Sequence, residues 1–348
     1  MTLLLHCGYH KTASSYLQSC FASHRELLAK HGIHYPDDPR QKDAAKGIPT
    51  AGNGAVLFQA LLKQNVDDCR QLLRRYFAKA KEKGANKVLL SAEGFFTYFS
   101  RYEGAKLLME SAKLEGFQTI RAFIFFRPPV EHAVSVYCHR AASGKLPPFV
   151  QWLETGFETP KWMDQFADHF GSTSIDWQVR LFQPKIDNIV KVLFSDWMHI
   201  QDELDLSALP SQVNVSITMG EAELVSEFNQ KHPGCGRYVS AALKTVPAKA
   251  KADESDLKKR TMRQAAAYFQ RHHSVMEKIN RLLPPNQQLS IPEVQEEEAK
   301  TLRPVFSPAQ VIASGEGLED FKNSRTLQGR FGRFLNRTFK PLSQRLPA

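Results

Sequence analysis

The chain has no long apolar run, no paired-cysteine pattern and no leader of basic, apolar and small residues at its N-terminus. A bilayer span needs roughly 20 consecutive apolar residues, and a signal peptide needs the missing leader. These two absences predict a cytoplasmic chain that opens directly in its first strand. The five cysteines, Cys7, Cys20, Cys69, Cys138 and Cys235, are odd in number and form no CxxC pair. Neither a disulfide framework nor a zinc knuckle is therefore expected. Cys20 and His24 do lie one helical turn apart, with His31 and His34 following. An amphipathic helix accounts for Cys20 without a metal, so no metal is expected. Internal repeats are absent, as is the GxxxxGK[ST] loop, which argues against a nucleoside-triphosphate kinase or related NTPase.

What is present is ordinary in bulk and unusual in charge. With 348 residues, 42% hydrophobic and 24% charged, the chain can build one large α/β domain, alone or with a smaller helical part. Its net charge of +10 favours anionic partners such as nucleotides, acidic glycans, membrane surfaces or nucleic acid, among which charge alone does not choose.

Hydrophobic patterning predicts an alternating order. "LLLHC" reads as a buried strand, and from Tyr16 the apolar residues Tyr16, Leu17, Cys20, Phe21, Leu27 and Leu28 recur at helical spacing. Gly8 to Ser15 is then a strand-to-helix loop. "HGIHYPDD" predicts a short β segment, residues 37–54 an exposed polar loop ending at Asn53-Gly54, and 56–83 a helix broken near Asn65. "NKVLLSAEGFF", "TIRAFIFFRPP" and "SIDWQVRLF" read as three further strands, with helices over 103–115, from Pro128 or Pro129, and over 187–200. Strands alternating with helices predict right-handed crossovers and a parallel sheet. Beyond about residue 215 only helices are expected, near 220–231 and 257–283.

In open parallel sheets, ligands bind beyond the carboxyl ends of the strands. Three polar features fall at such ends: the loop around Lys11, the pair Ser91 and Glu93, and Arg127. The loop also opens a helix, whose first backbone N–H groups lack intrahelical partners and attract anions. A phosphate or sulfate is the expected ligand, against the simpler alternative of a strand–helix turn with an incidental lysine.

The loop Gly8-Tyr9-His10-Lys11-Thr12-Ala13-Ser14-Ser15 resembles the 5′-phosphosulfate loop of the sulfotransferases that use 3′-phosphoadenosine-5′-phosphosulfate (PAPS). That loop reads roughly G-x-x-K-T-G-T-T. The same family holds the 3′-phosphate with a strand-end arginine and a serine eight residues later, and "RPPVEHAVS" supplies Arg127 and Ser135 at that spacing. "HGIHYPD", "VLLSAEGFF", "WQVRLFQP" and "QVNVSITMGEAELVSEFN" extend the likeness to the bacterial, glycan-directed branch over roughly residues 1 to 230. The resemblance implies a P-loop-like α/β fold with a central parallel sheet flanked by helices, PAPS as co-substrate with PAP as its product, and no metal requirement.

It also implies roles. Lys11 would contact the bridging oxygen of the leaving phosphate, with the 10–15 amides and the Thr12, Ser14 and Ser15 hydroxyls around the phosphosulfate. Arg127 and Ser135 would hold the 3′-phosphate. Glu93 would be the base that deprotonates an acceptor hydroxyl on a carbohydrate or glycolipid, with His10 in reserve. A capping or substrate-binding carboxylate is the plainer reading of Glu93. Two departures stand out. Ala13 replaces the usual glycine, which at a left-handed φ costs about 1 kcal/mol, and Asn53-Gly54 stands where related bacterial sequences often carry a histidine. A catalytically silent nucleotide-binding or interaction protein on the same fold is the alternative function.

The expected organisation is a PAPS-binding core over 1–215, a helical C-terminal extension of the same domain over 216–321, and a basic tail over 322–348. The tail holds seven cations, Lys322, Arg325, Arg330, Arg333, Arg337, Lys340 and Arg345, and no carboxylate. Its Leu327, Phe331, Phe334, Leu335 and Phe339 recur at helical spacing. Such a segment fits an anionic membrane surface at the inner face, or else a helix that packs its phenylalanines onto the main domain. Nucleic acid is not an expected partner, and the oligomeric state is left open.

Overall fold

The computed structural model describes residues 1–37, 41–142, 146–183, 186–207, 216–292 and 304–325. Five strands form one all-parallel sheet: β1 (Thr2–Cys7), β2 (Ile33–His34), β3 (Lys87–Ala92), β4 (Thr119–Phe126) and β5 (Asp176–Leu181), in the order β2-β3-β1-β4-β5. The class is α/β, a central parallel sheet flanked by helices. β1, β3 and β4 run as near-continuous apolar segments because helices cover both faces of a parallel sheet. Leu3, Leu5, Leu89, Leu90, Phe123 and Ile124 are all fully buried.

The strand order fixes where a ligand site falls. After β1 the chain leaves toward β2 and β3, while after β4 it leaves toward β5. Adjacent connections diverging in this way open a crevice at the carboxyl ends of β1 and β4. The Gly8–Ala13 loop and Arg127 both lie there.

Several expected elements form close to their predicted bounds. The broken helix is Ala55–Leu62 and Val66–Glu82, with Asn65 capping the second piece by accepting a bond from the Asp68 amide. Pro129 begins the helix Pro129–Ala141, as the fixed φ of proline favours. The first helix breaks at His24 into Ser14–Ser23 and Arg25–Lys30, and the expected helix over 187–200 winds as a π-helix over Val192–Trp197.

The expected exposed loop over 37–54 needs correction. It contains the helix Gln41–Ala45, and its end is a docked strand edge, with Asn53 buried. The reason is geometric: β2 pairs with β3 only at Lys87 and Val88, so the rest of that edge needs partners. Asn53 Nδ2 donates to the Leu89 carbonyl at 2.9 Å, Asn53 Oδ1 accepts from the Ser91 amide at 2.7 Å, and the Gly54 amide donates to the Ser91 carbonyl at 3.0 Å. A side chain at Gly52 would place its Cβ 2.1 Å from the Ser91 carbonyl oxygen, so only glycine fits this approach.

The chain divides into two compact units that interleave along the sequence. The first comprises 1–132, 157–214 and 266–293, and the second 133–156, 215–265 and 294–348. The second unit thus begins well before residue 215, and 266–293 returns to the first. In the second unit, described strands are absent, and Gly317 packs on Val239, where a Cβ would lie 2.6 Å from the Val239 Cα. Its buried polar centre is Glu221, whose carboxylate accepts from Lys251 Nζ and Gln310 Nε2, both at 2.9 Å. Lys322 and Arg325 end the helix Pro308–Arg325. The expected amphipathic tail otherwise lies outside the described residues. Among the described residues, no helix is long and apolar enough to cross a membrane.

Candidate functional site

The site grows from the end of β1. Gly8 leaves the strand with its amide bonded to the Ala92 carbonyl at 3.1 Å. A Cβ on Gly8 would lie 2.7 Å from Ser14 Oγ and 2.9 Å from Glu93 Cα. The absence of a side chain at Gly8 is what lets the β1 loop close onto the end of β3. Lys11 and Ala13 both take left-handed conformations, with φ of 65° and 59°. Ala13 is the N-cap residue of the Ser14–Ser23 helix and makes no side-chain cap, and the first turn carries no acidic residue. Backbone N–H groups of that turn therefore present positive charge that no acidic residue of the turn itself offsets.

One observation turns this helix start into a ligand candidate. Ser14 Oγ is buried, with Ser14 only 2% exposed, and it makes no hydrogen bond. A buried hydroxyl without a partner is costly and calls for an explanation such as an ion. Thr12 differs: its hydroxyl donates to the Tyr9 carbonyl at 2.6 Å, closing the loop on itself. Ser15 is half-buried and begins the helix beside Ser14.

Tyr9 is a core residue. Its ring packs edge-on to Phe96 and tilted against Phe126, and burial pushes its phenol well above the ordinary value. Its hydroxyl meets Met163 Sδ at 3.4 Å and His132 Nδ1 at 3.3 Å. A ligand role for Tyr9 therefore falls to its main chain.

Arg127 follows β4 and crosses to the loop, donating from Nη1 to the Lys11 carbonyl at 3.1 Å, with its guanidinium over the Phe182 ring. Burial draws its pKa down from the ordinary value, opposed by Glu131, and an arginine remains charged. Ser135 lies further along the Pro129–Ala141 helix, half-buried, and belongs to the second unit.

On the opposite side, Glu93 follows β3. His10 Nδ1 stands 4.0 Å from Glu93 Oε2, with the two side chains 40% and 41% exposed. Burial raises the Glu93 pKa above the ordinary carboxylate value, and the Lys11 ammonium partly offsets this. A carboxylate held slightly basic beside a histidine and a lysine can take a proton from a hydroxyl. Asn53 and Gly54 are tied to the β3 edge through Leu89 and Ser91. Both ends of the Asn53 amide are engaged on β3, so this side chain structures the strand edge.

The expected residues of β1, β3 and β4 thus meet through direct contacts: Gly8 against Glu93, His10 beside Glu93, and Arg127 on Lys11. Two residues escaped the sequence reading. His6 is buried in β1 with Nδ1 2.8 Å from Ser91 Oγ, and burial lowers its pKa to about 4. His132, in the first turn of the helix after Arg127, is fully enclosed beneath the loop. Its one sequence cue is a lone histidine in the apolar stretch "VEHAVSVYC". Near Cys20, His24 Nδ1 meets the Cys20 carbonyl at 2.9 Å and its Nε2 meets the Asp205 carbonyl at 3.0 Å. Among the described residues, no group of three histidine, cysteine or acidic side chains is placed to hold a metal ion. All five cysteines are buried, and none is in a disulfide.

No protein-family model, curated protein or solved structure matches this chain.

Proposed function

We propose that this protein is a PAPS-dependent sulfotransferase of the P-loop-like sulfotransferase fold, acting on a hydroxyl of a carbohydrate or glycolipid. The observation that carries the reading is the buried, unpartnered Ser14 hydroxyl at an uncapped helix start, in a loop whose lysine and alanine both adopt left-handed φ. That arrangement fits a phosphosulfate group, which brings several acceptor oxygens and negative charge. The close approach of Gly8 to Ser14 and Glu93 keeps the cradle free of a Cβ that would fill it.

Bound in this crevice, PAPS supplies a sulfuryl group attached to a good leaving phosphate. The residues to hold it are the Gly8–Ser15 loop, with Lys11 and the Ser14 hydroxyl, and Arg127 from the β4 side. Lys11 provides the charge that stabilises the departing oxygen, a contribution that oriented cations and amides make at low reorganisation cost. Glu93 accepts the proton of the attacking hydroxyl. Its partial exposure leaves it within reach of an acceptor, and its raised pKa makes it a better base than a solvated glutamate. His10, whose Nδ1 lies 4.0 Å from Glu93 Oε2, is the reserve base. The net charge of +10 suits an anionic donor and an anionic or glycan acceptor.

The test is transfer of labelled sulfuryl from PAPS across glycans, glycolipids, phenols and simple alcohols. Transfer to carbohydrate hydroxyls is expected, lowered at least about a hundredfold by Lys11→Ala. Absence of transfer to every class, with PAP still bound, would support a catalytically silent nucleotide-binding protein instead.

A further inference from the structure

The loop's left-handed turns need something to hold them, and two donors from the segment after β4 do so. His132 Nε2 lies 2.9 Å from the His10 carbonyl, and Arg127 Nη1 donates to the next carbonyl, that of Lys11, at 3.1 Å. A carbonyl can only accept, so Nε2 carries the imidazole proton and Nδ1 accepts from the Tyr9 hydroxyl at 3.3 Å. The His132 ring stacks on Tyr9, centroids 4.3 Å apart at 20°. Desolvation, the largest cause, pushes the His132 pKa well below its ordinary value, so the ring stays neutral through physiological pH.

Peptide planarity converts these anchors into a statement about amides. All described peptides are trans, so each N–H points opposite to the preceding carbonyl. Drawing the His10 carbonyl onto His132 turns the Lys11 N–H away from β4. Drawing the Lys11 carbonyl onto Arg127 does the same for the Thr12 N–H. Positive φ at Lys11 and Ala13, with Thr12 of the opposite sign between them, is the alternating backbone that gathers successive N–H groups into an anion-binding concavity.

We infer that His132 is a positioning residue for anion binding, holding the His10 carbonyl so that the Lys11 amide faces the phosphosulfate. The inference rests on the proposed function for the identity of the anion, while the anchoring itself is a property of the ligand-free protein. His132 touches no reacting atom; it acts through the loop.

Four forms of the full chain test it: wild type, His132→Phe, His132→Gln and Tyr9→Phe. Phenylalanine keeps the stacked ring and removes the donor, glutamine restores a donor near Nε2, and Tyr9→Phe removes only the hydroxyl on Nδ1. PAP affinity by calorimetry is expected to fall at least tenfold in His132→Phe, to recover most of the way in His132→Gln, and to change less than threefold in Tyr9→Phe. Amide exchange of the peptide covering residues 8–16, measured without ligand, is expected to speed up in His132→Phe and not in His132→Gln. Wild-type affinity in His132→Phe, or equal losses in the Phe and Gln forms, would overturn the inference. If wild type fails to bind PAP, the sulfotransferase reading fails, and the exchange measurement alone decides whether His132 anchors the loop. Should His132→Phe not fold, His132→Asn takes its place, since its amide is one methylene too short to reach the His10 carbonyl.

Discussion

On the β4 side of the β1 loop, the buried His132 and the half-buried Arg127 hold two successive carbonyls; on the β3 side, His10 and Glu93 face each other across 4.0 Å, each about two-fifths exposed. The first arrangement is over-determined. Tyr9, His132, Phe96, Phe126 and Met163 enclose one another beneath the loop, and no rotamer change there is free of a packing cost. The second has room to adapt. A donor shared by every turnover benefits from a rigid cradle, because orientation fixed in advance lowers the barrier without further ordering. Under the proposed activity the β3 side would admit the hydroxyl acceptor, which needs access. Rigidity and openness are thus separated on the two sides of Gly8, the residue through which they touch.

Substitution at Lys11 should do the most damage. Lys11→Ala should lower the transfer rate at least about a hundredfold, a few kcal/mol of lost charge stabilisation, while PAP affinity suffers less because Arg127 remains. Near-full activity would remove Lys11 from the leaving-group role. Glu93→Gln should also reduce turnover about a hundredfold, within the range for loss of a general base, with PAP binding and thermal stability intact. Its pH dependence follows from the direction of the shift. As the proposed base Glu93 would act deprotonated, and burial raises its pKa, so the rate should climb with pH along a limb lying above the ordinary carboxylate range. A rate independent of pH through that range would move the base to another group.

Arg127→Ala tests the rigid side. Loss of a charged contact costs about 1.5–3 kcal/mol, so PAP binding should weaken ten- to a hundredfold. Adenosine 5′-phosphosulfate, which lacks the 3′-phosphate, should lose less, by only what the freed Lys11 carbonyl contributes. Equal losses for the two nucleotides would confine Arg127 to an anchoring role.

Acid stability gives an effect of similar size. His6 stays neutral in the fold down to about pH 4, whereas the unfolded chain binds that proton below about 6.5. The unfolded state holds more protons over this window, so stability falls as pH drops from about 6.5 to about 4, by about 3 kcal/mol from His6. Denaturant melts of His6→Gln should be flatter across the same window, and an unchanged slope would contradict the assignment. Smallest is Ala13→Gly, expected to stabilise the fold by up to about 1 kcal/mol by relieving the left-handed alanine, with PAP affinity undiminished. Destabilisation would mean that the Ala13 methyl, packed against the core under the first helix, contributes more than its strain costs.

Much of the sheet was legible because β1, β3 and β4 are buried on both faces and read as apolar runs, and the polar residues ending each run mark the ligand side. Lys11, Glu93 and Arg127 could be picked out for that reason. His132 could not, since its role depends on the β1 loop lying over the helix that follows β4, a contact between residues 122 positions apart. Asn53 was misplaced in an exposed loop because its polarity suggested solvent, whereas the short β2 leaves a strand edge that its amide completes. The short helices Gly94–Phe99 and Phe149–Thr155 gave no periodic signal, being one or two turns long. The interleaving of the two units is set by long-range packing that local pattern does not encode.

The most direct measurement is thermal unfolding of the wild-type protein with PAP, and separately with ATP and magnesium. PAP is expected to raise the melting temperature strongly without added metal, and ATP with magnesium to leave it nearly unchanged. The opposite order, or no response to PAP at saturating concentration, would contradict the assignment of the β1 loop and Arg127 as a sulfuryl-donor site.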